Sequence, residues 1–238
     1  MYASRFSNRL ARKLSPGGLP AIAVAMTLAA TGTTVAESRF ERTAIYLEQN
    51  VQDEDSEVKI EAIAGSAGLT TLRVVAPDGR TVLDVRTPES KLGMRHHTLE
   101  SPEPHNDGRL QADFPEGTYR FTGTATDGDT LNGEAVLSHS FPSVANVMRP
   151  RDSEKNVPLT GLQIKWNPVK DATALIVAVE HEESGRQVTA TLPGSATSFS
   201  VPEGFLAAHT TYKLAIGTVA KSGNRSFTET SFTTTSRK

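Results

Sequence analysis

Hydrophobic and polar residues alternate in short runs along most of this chain, and turn residues separate the runs. Leu72-Arg73-Val74-Val75-Ala76 and Thr81-Val82-Leu83-Asp84-Val85 flank Pro77-Asp78-Gly79-Arg80. A period of two with Asp-Gly between the runs predicts a tight hairpin, because glycine accepts the positive φ that such a turn needs. Ala44 to Glu48 and Val58 to Ala64 precede it as strands, and Tyr119 to Thr126 and Leu131 to Phe141 form a second hairpin around Asp127-Gly128-Asp129. Residues 86 to 113 are polar and contain proline, which predicts a long loop with one short strand.

A second block begins near Pro142. Leu162, Ile164 and Trp166 alternate with Gln163 and Lys165, so one strand face carries the only tryptophan inward. Leu175 to Glu180 is apolar enough for a central strand. Glu183-Ser184-Gly185 turns the chain into Gln187 to Leu192, Phe199 and Val201 continue the alternation, and Tyr212, Leu214 and Ile216 supply another inward face. Ser222-Gly223-Asn224 leads into Phe227 to Thr233. No helical period of useful length follows Thr43. Thr118-Tyr119-Arg120-Phe121 and Thr211-Tyr212-Lys213-Leu214 each lead through a glycine turn to a final strand, and their tyrosines lie 93 residues apart. That spacing suits two consecutive sandwiches of about 100 residues, each able to seat a tyrosine whose hydroxyl bonds backbone upstream.

The first 36 residues follow a different pattern. Arg5, Arg9, Arg12 and Lys13 precede an apolar run from Leu19 to Ala30 and then Thr34-Val35-Ala36, with no acidic residue. Basic, apolar and small-residue segments in that order predict a secretory leader cleaved after Ala36, with a mitochondrial presequence as the alternative that the compact apolar run argues against, and that run is too short to span a bilayer. Residues 1–36 are therefore set aside as a signal peptide. Residues 37–142 are read as a first β-sandwich domain and 143–238 as a second.

Composition narrows the function. The chain has 238 residues, 37% hydrophobic and 22% charged, with no cysteine. That excludes a disulfide framework, a thiolate metal site and a thiol nucleophile. Of 25 basic and 27 acidic residues, four basic ones leave with the leader, so the mature chain has 21 against 27 and a net charge of -6. Such a surface repels phosphate backbones, and Arg149-Pro150-Arg151, beside Asp152 and Glu154, reads as a solvated strand end. Nucleic acid is not an expected partner. The expected location is secreted or periplasmic in a bacterial setting.

On these residues the second block resembles a fibronectin type III domain. The resemblance rests on Trp166 followed by Asn167-Pro168-Val169, the spacing of Leu206 to Tyr212, the Tyr212-x-Leu214-x-Ile216 strand, the Gly223-Asn224 turn and Ser231-Phe232-Thr233-Thr234. It departs from the family in having Ala208 where proline is frequent and in lacking a central-strand tyrosine. The first block, with Phe114-Pro115-Glu116-Gly117-Thr118-Tyr119, looks like the β-rich halves that precede such domains in exported bacterial proteins. The resemblance implies an all-β chain with an immunoglobulin-like second sandwich, and a spacer or binding module rather than an enzyme.

Three constellations carry candidate chemistry. His96, His97 and His105 with Glu100, Glu103 and Asp107 offer imidazoles and carboxylates to a transition metal, against the simpler reading of a solvated loop. Asn50, Asp53, Glu54, Asp55 and Glu57, with Asp127 and Asp129 from a turn expected at the same end, offer oxygens to calcium, against an acidic turn that keeps a sheet end wet. His181-Glu182-Glu183-Ser184-Gly185 only begins like a zinc-protease motif, and no nucleophile elbow or phosphate loop is present. Asn224-Arg225-Ser226 is a glycosylation sequon that the bacterial setting makes incidental. No catalytic, cofactor or metal residue is assigned. The expected function is that of an exported non-enzymatic binding or spacer module, acting on protein or polysaccharide partners through Arg86 to Asp113 and the turns at Asp127 and Gly223. The alternative is a carbohydrate-active hydrolase or its targeting subunit, which would need exposed aromatics among Phe40, Tyr46, Phe114, Tyr119, Phe121 and Phe141.

Overall fold

Three glycine turns of one kind set the frame of the fold, a computed structural model that describes residues 39–236 apart from Ala67, Pro88, His105 and Asn106. The leader lies outside the described residues. At 76–80, 125–129 and 220–224, the first residue's N–H donates to the carbonyl of the last, at 2.8 to 2.9 Å. The glycine one place before the end of each turn takes a φ of 87° to 94°. A side chain would be strained there, which is why Gly79, Gly128 and Gly223 occupy those positions.

The first part of the chain contributes β1 (Arg42–Asn50), β2 (Asp55–Ile63), β3 (Leu69–Val75), β4 (Thr81–Arg86), β5 (His96–Glu100), β6 (Gly117–Ala125) and β7 (Thr130–Leu137). The second part contributes β8 (Val147–Arg149), β9 (Glu154–Val157), β10 (Gln163–Trp166), β11 (Ala174–His181), β12 (Arg186–Pro193), β13 (Ser198–Ser200), β14 (Thr211–Val219) and β15 (Arg225–Thr234). The 86 to 113 segment supplies β5 and also a short helix, α1 (Asp107–Asp113), that the strand alternation does not predict. Leu110 anchors α1 in the first core.

The described residues are all-β apart from α1. Strands β4-β3-β6-β7 form one sheet and β13-β10-β8 another, and a large sheet runs β12-β11-β14-β15-β1-β2-β5 with β9 added along β15. The first core packs Ile45, Leu47, Val58 and Ile60 against Leu72, Val74, Tyr119 and Phe121. The second packs Ile164 and Trp166 against Leu175, Val177, Tyr212, Leu214 and Phe232. A four-stranded and a three-stranded sheet facing each other make the second part an immunoglobulin-like sandwich.

The aromatic anchors are buried with their polar tips satisfied, as burial requires. Tyr119 Oη donates to the Pro115 carbonyl at 3.0 Å, and Tyr212 Oη accepts the Ala207 N–H at 2.8 Å. Trp166 Nε1 donates to the Ala196 carbonyl at 2.9 Å. Tyr212 stacks on Phe232 with ring centroids 5.6 Å apart.

One feature departs from two independent sandwiches in series. The large sheet takes strands from both parts of the chain, because β1 and β15 pair in parallel with Glu48, Gln49 and Asn50 opposite Arg225, Ser226 and Phe227. Gln49 and Ser226 fall on the face toward the two cores, so both smaller sheets lie on the same side of the large one.

Candidate functional site

The β1–β15 seam is where side chains from distant parts of the sequence converge. Asn224, the last residue of its turn, is fully buried. Its Oδ1 accepts the Leu47 N–H at 2.9 Å, and its Nδ2 donates to the carbonyls of Ser138 and Ser140 at 2.7 and 2.9 Å. A single amide thereby ties β1, the segment after β7 and the start of β15. Ser226 Oγ donates to the Pro142 carbonyl at 2.7 Å and accepts from Gln49 Nε2 at 2.6 Å. The Val51 N–H donates to the Phe227 carbonyl, and Gln52 exchanges bonds with Thr228 and with the Glu229 N–H. Buried polar groups are stable only when paired in this manner. The sequon is thus occupied by structure: both donors of the Asn224 amide are engaged inside the fold.

The opposite face of the large sheet carries a row of charged side chains. The alternation that sends Val58 and Ile60 into the first core sends Glu57, Lys59 and Glu61 the other way, yet all three are buried. Lys59 Nζ lies 2.6 Å from Glu57 Oε1 and 3.0 Å from Glu100 Oε1. Glu61 holds Arg42 at 2.9 Å and His96 at 3.2 Å. Arg225 Nη1 lies 3.3 Å from Glu48 Oε2, and its guanidinium sits 4.4 Å above the Tyr46 ring. Toward the other end of the sheet this face turns apolar, with Ile176, Ala178, Ala215 and Phe227 in contact.

Burial controls the acid–base behaviour of this face. It pushes the Glu57 carboxyl up to about 8, outweighing the nearby Lys59 ammonium, and raises the Tyr46 hydroxyl to about 12 against the pull of Arg225. Glu229, at the seam, also rises to about 8, first through burial and then through repulsion by Asp53 and Asp55, while Lys213 and the Asn50 amide pull it down. A carboxyl whose folded pKa is raised holds its proton better when folded. Its stabilising contribution is therefore complete below the unfolded pKa near 4.5 and is lost as pH rises through about 8. Urea unfolding is expected to show the protein less stable at about pH 9 than at about pH 5 on account of these groups, and Glu229→Gln is expected to flatten that slope. An unchanged slope in Glu229→Gln would show that its proton affinity is not altered by folding.

The predicted metal constellations are dispersed. His96 and His97 lie on β5 with side chains on opposite faces. His96 binds Glu61, and His97 Nε2 contacts the Met94 carbonyl at 3.2 Å, with burial lowering its pKa. His105 lies outside the described residues. Among the described residues, no three histidine, aspartate or glutamate side chains come together in a way that would hold a metal ion. Of the acidic turn, Glu57 faces Lys59, and Asp53 accepts a 2.8 Å bond from Asn50 Nδ2. Asp127 and Asp129 do not share its end of the sandwich. Arg39 bridges Asn132 in parallel and Thr43 Oγ1 donates to the Glu134 carbonyl, so β1 and β7 run the same way. The 127–129 turn precedes β7 whereas the acidic turn follows β1, which puts them at opposite ends.

One serine–histidine–carboxylate set does form. His181 Nδ1 lies 2.7 Å from Ser184 Oγ, and His181 Nε2 lies 3.8 Å from Glu183 Oε2. It sits on the exposed β11–β12 turn with Glu183 fully in solvent, and Ser184 Oγ accepts the Arg186 N–H, so it serves to order the turn. One crevice borders the seam and another lies over β6 and β7. The first, of about 390 Å³, is lined by Arg42, Tyr46, Val136, Lys221 and Arg225, and the second, of about 460 Å³, by Arg39, Arg120, Asn132 and Glu134. Neither touches the histidine turn. Among the described residues no helix is long and apolar enough to cross a membrane.

No family model matches the chain, and no curated protein matches it. Solved structures do. Fibronectin(III)-like modules of Clostridium thermocellum CbhA align at 9% identity and a TM-score of 0.36, over 83% of this chain and 93% of that one. The FN1-FN3 domains of chicken CNTN1 align at 12% and 0.37, over 83% and 66%, and a two-domain fibronectin type III segment of chicken tenascin at 12% and 0.31, over 80% and 97%. The structures to which this chain is similar are thus fibronectin type III modules, at low identity and low TM-score.

Proposed function

We propose that this chain is an exported, non-enzymatic spacer and binding module whose partner is a protein or polysaccharide of the cell envelope or the exterior. The observation that carries the reading is the β1–β15 pairing sealed by Asn224, which turns two sandwiches into one continuous sheet. A spacer needs its contact loops at a constant separation, and strand pairing across the seam gives that, where a bare linker leaves domains free to move. The contact region follows from exposure. In the 86 to 113 segment, Leu92 and Met94 are 85% and 53% exposed, apolar side chains presented beside polar neighbours. The turn at Asp127 is open to solvent, whereas Gly223 packs toward Tyr46 in the seam and forms the wall of a crevice rather than a free tip.

The six aromatics of the first part argue against sugar stacking. Tyr46, Tyr119 and Phe121 are buried, and Phe40, Phe114 and Phe141 pack against the first core. A polysaccharide partner would be held by polar loop groups instead.

Two measurements test the reading. The mature chain recovered from the envelope or medium is expected to begin at Glu37, and an unprocessed chain held in the cytoplasm sinks the export half. Immobilised protein is expected to capture an envelope component that the double variant Leu92→Asp, Met94→Asp, folded by circular dichroism, no longer captures. Equal capture by both, or turnover of glycan substrates by the wild type, overturns the binding half.

A further inference from the structure

The large sheet ends at β12 on one side and β5 on the other, and the two ends differ in how they meet solvent. Natural sheets blunt their exposed edges with charge, proline, bulges or short strands. β5 carries His96, His97 and Glu100. β4 pairs with β3 through a register shift and bears the Asp84–Arg86 ion pair. β8 and β13 are three residues each, and the outer side of β7 receives Arg39 and Thr43. β12 has a charge only at its first residue, Arg186, and a proline only at its last, Pro193, and none of these devices between them. It pairs with β11 from Arg186 to Pro193 without a register shift, and no strand among the described residues pairs with its outer edge.

Hydrogen-bond alternation says which groups that edge presents. The Gly194 N–H donates to the Thr173 carbonyl at 3.2 Å, which sets the phase of the β11–β12 ladder. Even-numbered residues of β12 bond inward to β11, and the N–H and C=O groups of Gln187, Thr189 and Thr191 point outward. Pro193 falls in the outward set, where its missing N–H costs the ladder nothing. The one charged residue, Arg186, is tied to its own fold: Nη2 donates to the Gly204 carbonyl at 3.1 Å and the guanidinium lies 5.1 Å from the Phe205 ring centre.

We propose that β12 is the contact strand of a symmetric dimer of this chain, formed by antiparallel pairing of two β12 edges about Thr189. This goes beyond the spacer reading and does not depend on export. The strand is complementary to itself in one register. With the two-fold axis at Thr189, Gln187 faces Thr191 of the other copy, and all three outward residues exchange bonds, giving about six intermolecular main-chain hydrogen bonds. Val188 then lies opposite Ala190 on the core-side face, and Thr189 opposite its own copy, a pairing that sheets favour. The two Arg186 residues sit at opposite ends of the contact, so no like charges meet. A centre at Ala190 brings Gln187 against Pro193 once in each copy and leaves both Gln187 carbonyls without a donor, and a shift to any half-step pairs outward groups with inward ones. A strand whose one charge is held by its own fold gives an acidic or basic partner little to recognise, whereas it fits its own copy without like charges meeting.

Sedimentation velocity of the full chain is expected to show a monomer–dimer equilibrium that moves toward dimer between low micromolar and submillimolar concentration. Thr189→Lys places two ammonium groups face to face and is expected to leave monomer only, with unchanged circular dichroism. Because the chain has no cysteine, Thr189→Cys supplies a position-specific probe. Bonded antiparallel neighbours have Cα atoms about 5.5 Å apart, inside disulfide range, so mild oxidation is expected to cross-link it between copies, and Thr81→Cys on exposed β4 is expected to remain monomeric. A wild type that stays monomeric at the highest concentration, a Thr189→Lys variant that still dimerises, or equal cross-linking at both positions overturns the proposal.

Discussion

Asn224→Ala is expected to lower the unfolding free energy by about 3 kcal/mol or more, and to uncouple the two halves of the molecule. The substitution removes three hydrogen bonds at a fully buried position, strands the Leu47 N–H inside the seam and takes the partner from the Ser138 and Ser140 carbonyls. Each stranded group costs roughly 1 kcal/mol or more, and the cavity adds to it. The seam is where those groups lie, so the loss falls on the coupling between sandwiches. Trp166 makes the separation measurable, since the only tryptophan lies in the second core and its fluorescence reports that half alone. In the wild type, unfolding by urea is expected to coincide when followed by tryptophan fluorescence and by far-ultraviolet circular dichroism. In Asn224→Ala the two curves are expected to separate. Asn224→Asp keeps the size but loses both donors and adds a charge facing two carbonyls, so it is expected to lose at least as much stability at neutral pH. Ser222→Ala, which loses only a 3.3 Å contact to the Asn224 N–H, is the control and is expected to shift the curve by less than about 0.5 kcal/mol. Coincident curves with a loss under about 1 kcal/mol in Asn224→Ala would show that the seam is held by something other than this amide.

The contrast between what alternation reveals and what it hides has a physical origin in this chain. Period-two runs and Asp-Gly or Ser-Gly turns are local, and they mark β1 to β4, β6, β7, β10 to β12, β14 and β15 in the sequence. The burial of Tyr119, Trp166 and Tyr212 follows from the same alternation. The β1–β15 pairing has no such signature, because it joins three residues in each of two strands that are 177 positions apart, and parallel pairing involves no shared turn. A trace of it was nonetheless present. Alternation from Phe232 back along β15 assigns Thr230, Thr228, Ser226 and Asn224 to the core side, and four polar residues in a row on a core face need partners from elsewhere. The charged row on β2 misleads for the converse reason: Glu57, Lys59 and Glu61 have the composition of a wetted face, and only three-dimensional placement shows them buried and paired. α1 is too short for a helical period to register, and β8 and β9 are too short for a period of two.

The second large effect is expected at Lys59. Its ammonium is fully buried between Glu57 and Glu100, so Lys59→Met leaves two carboxyls facing each other with no cation between them. Breaking a buried pair from one side costs about 3–5 kcal/mol, and chemical unfolding at about pH 8 is expected to show a loss in that range. The loss depends on pH in a direction that identifies its cause. Glu57 already binds its proton up to about 8 with Lys59 in place, and without the ammonium its affinity rises further, so the uncompensated charge disappears on acidification. At about pH 5, Lys59→Met is therefore expected to recover most of the lost stability, because a protonated Glu57 can donate a hydrogen bond to Glu100 where a Glu57 carboxylate is left without its cation. The triple variant Glu57→Leu, Lys59→Met, Glu100→Leu removes the charges together, and replacement of a buried ionic cluster by apolar side chains of similar volume is expected to come within about 1 kcal/mol of the wild type. If Lys59→Met is equally damaging at both pH values, its role is packing by the methylene stem rather than charge. If the triple variant fails to recover stability, the row of charges is holding strand register across the seam in a way that apolar contacts do not replace, and the polar face of the large sheet is then part of what makes the two sandwiches one body.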